Sequence, residues 1–281
     1  MKFGVMMFPT DQSIRPDELA AEAEGRGFES VFYPEHTNIP VTRKTPWPGG
    51  GDLPEEYRRL HDPFIALTAA AGAAPSINLG TGICLVAQHD PVVLAKVVAS
   101  LDVVSNGRFI FGVGFGWNED EMEQHGVDPR YRRSVVREKI LAMKSLWTEE
   151  SGHFEGKFVR VEPTWSWPKP AQQPHPPILI GGVGSDTVFR HVIEWADGWM
   201  PIGGRYDIVE RIDALRRASQ EAGRDPTSIE ITIFGAPRDE EVLERYAQAG
   251  VVRVIFGLPP APRDVVLPAL DRRAAVLARV G

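Results

Sequence analysis

NLGTGICLVAQHDPVVLAKVVASLDVVSNGRFIFGVGFGW, residues 78–117, decides the fold. Leu79 to Cys84 is a short apolar run bounded by turn signals. From Pro91 to Val104, apolar residues recur at helical spacing (Val93, Leu94, Val97, Val98, Leu101, Val104). Asn106-Gly107 is a helix stop. Phe109 to Phe115 is a second buried strand. Strand, helix, strand in about forty residues is one βαβ unit of a parallel sheet. Both strands end in glycines at the carboxyl side, where parallel α/β folds place their ligands.

Outward from this unit the alternation continues. Phe3–Phe8 reads as strand 1, Pro16–Arg26 as a helix stopped by Gly27, and Ser30–Tyr33 as strand 2. A polar, Pro- and Gly-rich stretch covers 37–61, and Asp62 is placed to cap a helix over Pro63–Ala73. A long helix is expected over Arg130–Trp147. An insertion follows over 148–176, with a hairpin around His153–Phe158. Strands at Pro177–Ile180, Trp199–Ile202, Glu230–Phe234 and Arg253–Phe256 alternate with helices at Ser185–Ala196, Ile208–Ala222, Asp239–Ala249 and Arg263–Arg279. Eight such units in 281 residues predict a single (β/α)8 TIM barrel over 1–281, with insertions after strand 2 and before strand 5. An open doubly wound sheet is the alternative. Both insertions are expected to rise on the catalytic face or flank it. The first reads either as a lid or as a disordered surface loop.

The composition is that of an ordinary globular protein, 43% hydrophobic and 25% charged. A net charge of −7 argues against nucleic acid or an anionic membrane as partner, while leaving room for a local basic site. No apolar run is long enough to span a bilayer. Cys84 is the only cysteine, so there is no internal disulfide. With no signal-peptide pattern before strand 1, a cytoplasmic location is expected.

Gly112-Val113-Gly114-Phe115-Gly116-Trp117 resembles a dinucleotide fingerprint but fails it, since Trp117 stands where the third glycine belongs. No helix is expected to begin at once, because Asn118-Glu119-Asp120-Glu121 intervenes. Two readings survive: a glycine-lined strand end that admits a planar ligand, or barrel-packing glycines. Ile180-Gly181-Gly182-Val183-Gly184-Ser185 is strand, glycine turn and helix start. It offers either an anion site of free N–H groups or an ordinary turn capped by Ser185. Glu35-His36 ends strand 2, where a carboxylate and an imidazole suit proton transfer at a barrel rim, although a lone histidine is often structural. The histidines show no HxH or HExxH spacing, so no metal site is expected. No nucleophile elbow or P-loop is present.

Taken together, Tyr33-Pro34-Glu35-His36, Leu79-Gly80-Thr81-Gly82-Ile83, Asp90-Pro91, Ser105-Asn106-Gly107-Arg108-Phe109, Gly112 to Asn118, and Pro176-Pro177-Ile178-Leu179-Ile180-Gly181-Gly182 resemble the luciferase-like monooxygenase superfamily. More narrowly, they resemble its coenzyme F420-dependent oxidoreductases, and the likeness spans essentially the whole chain. The resemblance implies a ring held at the carboxyl end of the barrel by Gly82, Ile83, Gly112, Gly114, Gly116, Trp117 and Asn118. It implies a non-proline cis peptide at Gly82–Ile83 and a phosphate at Gly181, Gly182 and Ser185. The implied reaction is hydride transfer between the deazaflavin and a small organic substrate. His36 would be the catalytic group, and Glu35 would orient it or hydrogen-bond the ring. One subgroup, the sugar-phosphate dehydrogenases, carries a catalytic Glu where Trp117 stands, which argues against that substrate. An FMN-dependent monooxygenase is the alternative; a non-catalytic flavin carrier and a barrel lyase or aldolase are the more distant ones. Relatives are often dimers, so a homodimer is expected.

Overall fold

The computed structural model describes residues 1–280. Its strands and helices are β1 (Lys2–Met6), α1 (Pro16–Glu24), β2 (Ser30–Tyr33), α2 (Pro63–Ala73), β3 (Asn78–Thr81), α3 (Pro91–Val104), β4 (Phe109–Val113), α4 (Glu119–Gln124) and α5 (Arg132–Thr148). They continue with β5 (Gly152–Glu155), β6 (Arg160–Thr164), β7 (Ile178–Gly181), α6 (Asp186–Trp195), β8 (Gly198–Met200), α7 (Ile208–Glu221), β9 (Glu230–Phe234), α8 (Glu240–Gln248), β10 (Arg253–Gly257) and α9 (Arg263–Val280). Eight strands close in the order β1-β10-β9-β8-β7-β4-β3-β2, and every neighbouring pair is parallel. This is the (β/α)8 barrel; the open sheet is excluded by closure.

The helix starts follow from local chemistry. Pro16, Pro63 and Pro91 open α1, α2 and α3 at positions whose N–H has no helical partner. The side chains of Asp62, Asp90, Asp207 and Asp239 each accept a hydrogen bond from an orphan N–H of the first turn. Asn106 (φ 57°) and Gly107 (φ 75°) turn the chain out of α3 in the left-handed region.

Two cores result. The larger lies between strands and helices. A smaller one fills the barrel interior with Phe32, Ile110, Leu179, Met200 and Ile255. The inner core needs glycines to fit. A Cβ on Gly80 would enter the Phe32 ring, and one on Gly112 would enter the Thr81 carbonyl of the adjacent strand. At the amino-terminal end, the Arg253 guanidinium donates to Glu29 at 2.7 Å and 2.8 Å and pairs with Glu230, closing the barrel floor.

Three expectations need correction. A helix does follow the strand-4 glycines closely, because Asn118 turns directly into α4 at Glu119. The third strand is shorter than its apolar run: it stops at Thr81, bulges through Gly82–Ile83, and returns at Cys84 to bridge Val113. The 148–176 insertion does not serve the catalytic face. Its hairpin β5–β6 packs on α5, where Glu138 accepts from the N–H groups of Lys157, Phe158 and Val159. Its tail reaches the amino-terminal side, where Gln172 bonds Asp102 and the Phe109 carbonyl.

The glycines separate into two kinds, which mutation can distinguish. Gly112→Ala should lower the unfolding free energy by at least about 1–3 kcal/mol, because the clash is with backbone and nothing can swing aside. Gly182→Ala meets only Val188 at an ordinary 3.4 Å and should stay within about 0.5 kcal/mol of the parent. Denaturant unfolding of both variants checks this pair of outcomes.

Candidate functional site

At the carboxyl ends of the strands lies a cavity of about 550 Å³, within the range of roughly 300–1,000 Å³ usual for small-molecule sites. Glu35 and His36 reach it from β2, Gly82 and Ile83 from the bulge after β3, and Gly114, Gly116 and Trp117 from the turn after β4. Gly181 and Gly182 reach it from the end of β7. Nine of the twelve residues expected at the site therefore meet there. The other three do not line it. Gly112 is spent on packing β4 against β3. Asn118 is buried at the start of α4 and donates to Glu121 at 3.3 Å. Ser185 caps α6 by accepting from the Val188 N–H at 3.3 Å and lines a neighbouring hollow with Tyr206 and Arg211.

The floor is built around Ile83. The Gly82–Ile83 peptide is cis. Cβ atoms on Gly114 and Gly181 would stand 2.5 Å and 2.6 Å from the Ile83 side chain. The glycines thus seat Ile83, and Ile83 with Met200, Ile202 and Phe234 makes an apolar surface. Gly182 lines the cavity and meets only Val188 on its side-chain side, at 3.4 Å. In the turn before α6 the Gly184 N–H donates to the Tyr206 hydroxyl at 3.1 Å and the Ser185 N–H to the Val183 carbonyl at 2.7 Å, so neither is free for an anion.

Glu35 does not orient His36. It is 3% exposed and turns the other way. Its carboxylate accepts from the Leu85 N–H at 2.5 Å and pairs with His89 Nε2 at 2.7 Å, with the Cys84 thiol beside it. Burial pushes the Glu35 carboxyl up. The hydrogen bond and charge of His89, with the Leu85 N–H, outweigh that and hold it below the usual value. Burial likewise pulls His89 down, and Glu35 outweighs it, leaving the imidazole above its usual value. Donor atoms of Glu35, Cys84 and His89 lie within 4.8 Å of one another. The carboxylate is already satisfied by protein donors, so the cluster reads as a brace on the bulge.

His36 is held instead by Glu121, which sequence reasoning missed. Its Nδ1 lies 2.7 Å from Glu121 Oε2, and Trp117 Nε1–H donates to its Nε2 at 3.3 Å. Nothing in Glu119-Asp120-Glu121 marks which acid turns inward. Tyr57, from the 37–61 segment, packs its ring at a tilt against His36 at 5.3 Å and Phe8 at 4.9 Å between centroids. That segment folds against α4: Asp120 accepts from the N–H groups of Lys44 and Thr45, and Asn38 bonds Gln124 and His125. Pro48 and Tyr57 bring it to the cavity wall.

Arg132, Arg133 and Arg205 also line the cavity. A faint signal for the first two was present. Two cations in the first turn of α5 oppose the helix dipole, an arrangement disfavoured without another purpose. Arg132 pairs with Glu119 at 2.9 Å, while Arg133 lies over the Phe115 ring. An acidic protein thus carries a basic wall here.

A carboxyl-face cavity with an apolar floor, a cis-peptide bulge and a rim histidine is the geometry the family resemblance implied, and the luciferase-like monooxygenase profile matches residues 1–274. The chain belongs to the luciferase-like monooxygenase family. Members of this family are oxidoreductases. An uncharacterised protein of Mycobacterium tuberculosis is 41% identical over 283 residues, covering 99% of each chain. An F420-dependent hydroxymycolic acid dehydrogenase of the same species is 26% identical, covering 87% of this chain and 66% of the relative. Among solved structures, an F420-dependent secondary alcohol dehydrogenase in complex with an F420–acetone adduct superimposes with a TM-score of 0.78 at 19% identity over the full length of both chains. Among the described residues, no helix is long and apolar enough to cross a membrane.

The sign of the two shifts gives a pH dependence. The Glu35 share of stability is present above its ordinary value of 4.5 and fades as pH falls through its lowered folded value. The His89 share is present below its ordinary 6.5 and fades as pH rises through its raised folded value. The gap in unfolding free energy between the parent and His89→Leu should be widest between those two values and narrow on either side. Urea titrations across pH measure it, and a flat gap would show the two groups are not ion-paired.

Proposed function

We propose that this protein is a coenzyme F420-dependent oxidoreductase that moves a hydride between the deazaflavin and a small organic substrate. The observation that carries this is the joint presence, in one cavity, of an apolar floor at Ile83, a basic wall and a rim histidine, His36. The likeness to an F420-dependent dehydrogenase supports the same reading.

The residues fit such a cofactor. Ile83, seated on Gly114 and Gly181, offers a flat apolar face, and Gly182, without a side chain, lines the cavity where a phosphate would sit. Arg133 and Arg205 complement an anionic tail. A bound deazaflavin supplies a two-electron hydride carrier, and the protein supplies orientation and electrostatics. His36, at the rim, exchanges a hydrogen bond or proton with the substrate. Tyr57 and Trp117 wall it from water. FMN is the competing cofactor, since the same floor and glycine turn accept its ring and phosphate.

Titration with both cofactors tests the assignment. F420 should bind at micromolar or tighter Kd and FMN at least tenfold more weakly, a gap of about 1.4 kcal/mol. Equal or tighter FMN binding would overturn the F420 assignment. Gly182→Asp should cut cofactor affinity by a large factor with the fold intact. His36→Ala should leave cofactor affinity within a few-fold. With a panel of secondary alcohols as hydride donors, it should slow F420 reduction at least about tenfold.

A further inference from the structure

We propose that Glu121 is the positioning residue of this site: it holds His36 as the Nδ1–H tautomer, so that the atom left for a substrate is the Nε2 lone pair, covered by the Trp117 indole. This rests on the reading of the cavity as an oxidoreductase site, but its observations are independent of which cofactor binds.

The tautomer follows from two neighbours. Trp117 donates only, because an indole nitrogen has no free lone pair. Its Nε1–H points at His36 Nε2 at 3.3 Å, so Nε2 must be the accepting nitrogen. The ring proton of the neutral imidazole then sits on Nδ1, 2.7 Å from Glu121 Oε2, which accepts it. Both contacts ask for the same tautomer, and the opposite one would set two N–H groups against each other.

Glu121 is poorly explained as a structural residue. It is fully buried, and its other oxygen, Oε1, has no hydrogen-bond partner. A buried carboxylate without full compensation is costly. Its two contacts are His36 and Asn118, whose 3.3 Å amide bond reaches the same Oε2. Glu121 stands three residues after Asn118, at the start of α4, and the same helix ties down the 37–61 segment through Asp120. The helix thus sets both the ring of His36 and the segment carrying Tyr57. In this neutral tautomer His36 Nε2 accepts a hydrogen bond or proton and returns that proton from the same atom in the reverse step, so the group it receives is a proton donor, such as a hydroxyl, which must displace the indole.

The histidine ring nitrogens report this directly. Uniformly ¹⁵N-labelled protein without cofactor is examined by NMR, with the His36 signals assigned by their loss in His36→Asn. The parent should show His36 protonated on Nδ1 alone at a pH where the ring is neutral. Glu121→Leu, which keeps bulk and removes the acceptor, should shift the tautomer ratio at least tenfold toward Nε2–H, equivalent to about 1.4 kcal/mol. Glu121→Gln, whose amide oxygen still accepts, should restore part of the Nδ1–H form. Trp117→Phe should leave the tautomer unchanged, because Glu121 still holds it. An Nε2–H form in the parent overturns the proposal, and that spectrum stands even if Glu121→Leu does not fold. A tautomer that changes in Trp117→Phe and not in the Glu121 variants overturns it as well. None of these spectra contains a cofactor, so failure here leaves the F420 titration to be judged separately, and failure there leaves the tautomer standing.

Discussion

The barrel interior can hold only a few large side chains at each level, and this volume constraint organises the rest of the structure. Parallel strands closed into a barrel bring backbone within reach of neighbouring backbone, so a large residue on one strand requires a small one beside it. Phe32 on β2 is admitted by Gly80 on β3, and Phe234 on β9 is admitted by Gly82. The same rule builds the floor of the cavity, where Ile83 occupies the space that Gly114 and Gly181 leave. Packing and site are therefore one problem. The glycines that look like ligand contacts in the sequence first make room for a side chain, and that side chain then faces the ligand space.

With the floor set by volume, the bulge above β3 must be held in place by polar contacts. Glu35 does this from β2 by bonding the Leu85 N–H and His89. A buried carboxylate survives there because a backbone donor and a positively biased imidazole compensate its desolvation. The neighbouring residue, His36, faces the other way along the chain and finds a different carboxylate, Glu121. Adjacent residues at a strand end diverge because successive side chains point to opposite sides. Glu35 and His36, adjacent in sequence, consequently belong to two separate acid–imidazole pairs.

The rim is shaped by α4, six residues long, which carries three acids in its first turn. Glu119 pairs with Arg132, Asp120 receives the 37–61 segment, and Glu121 receives His36. Acids suit the positive end of a helix, so this turn is locally stable as well as useful. The 37–61 segment has little regular structure beyond one 3-10 turn at Glu55–Arg58, and its order comes from these contacts and from Tyr57 among Phe8, His36 and Trp47.

The alternation of strands and helices was legible in the chain because hydrophobic periodicity, proline at helix starts and Asn-Gly at a helix end are local signals. They predicted α2 over Pro63–Ala73 and β9 over Glu230–Phe234 as found. Their eightfold repetition identified the barrel, and parallel topology placed the site at the carboxyl ends, where nine of twelve expected residues do line the cavity. Partners across the fold were not legible. Gly112 and Gly114 read alike, yet one faces a carbonyl oxygen and the other Ile83. Glu121 is one acid among three, and only the direction of α4 turns it to His36, 85 residues away in sequence. The 148–176 insertion bears no local mark of the side on which it docks; Glu138 and Asp102 decide that by satisfying its backbone and amide groups. Period and turn chemistry are written in neighbouring residues, so the sequence by itself determined the barrel and the face that carries the site. Which carboxylate meets which imidazole depends on the angle at which distant segments cross, and that was decided only when the barrel closed.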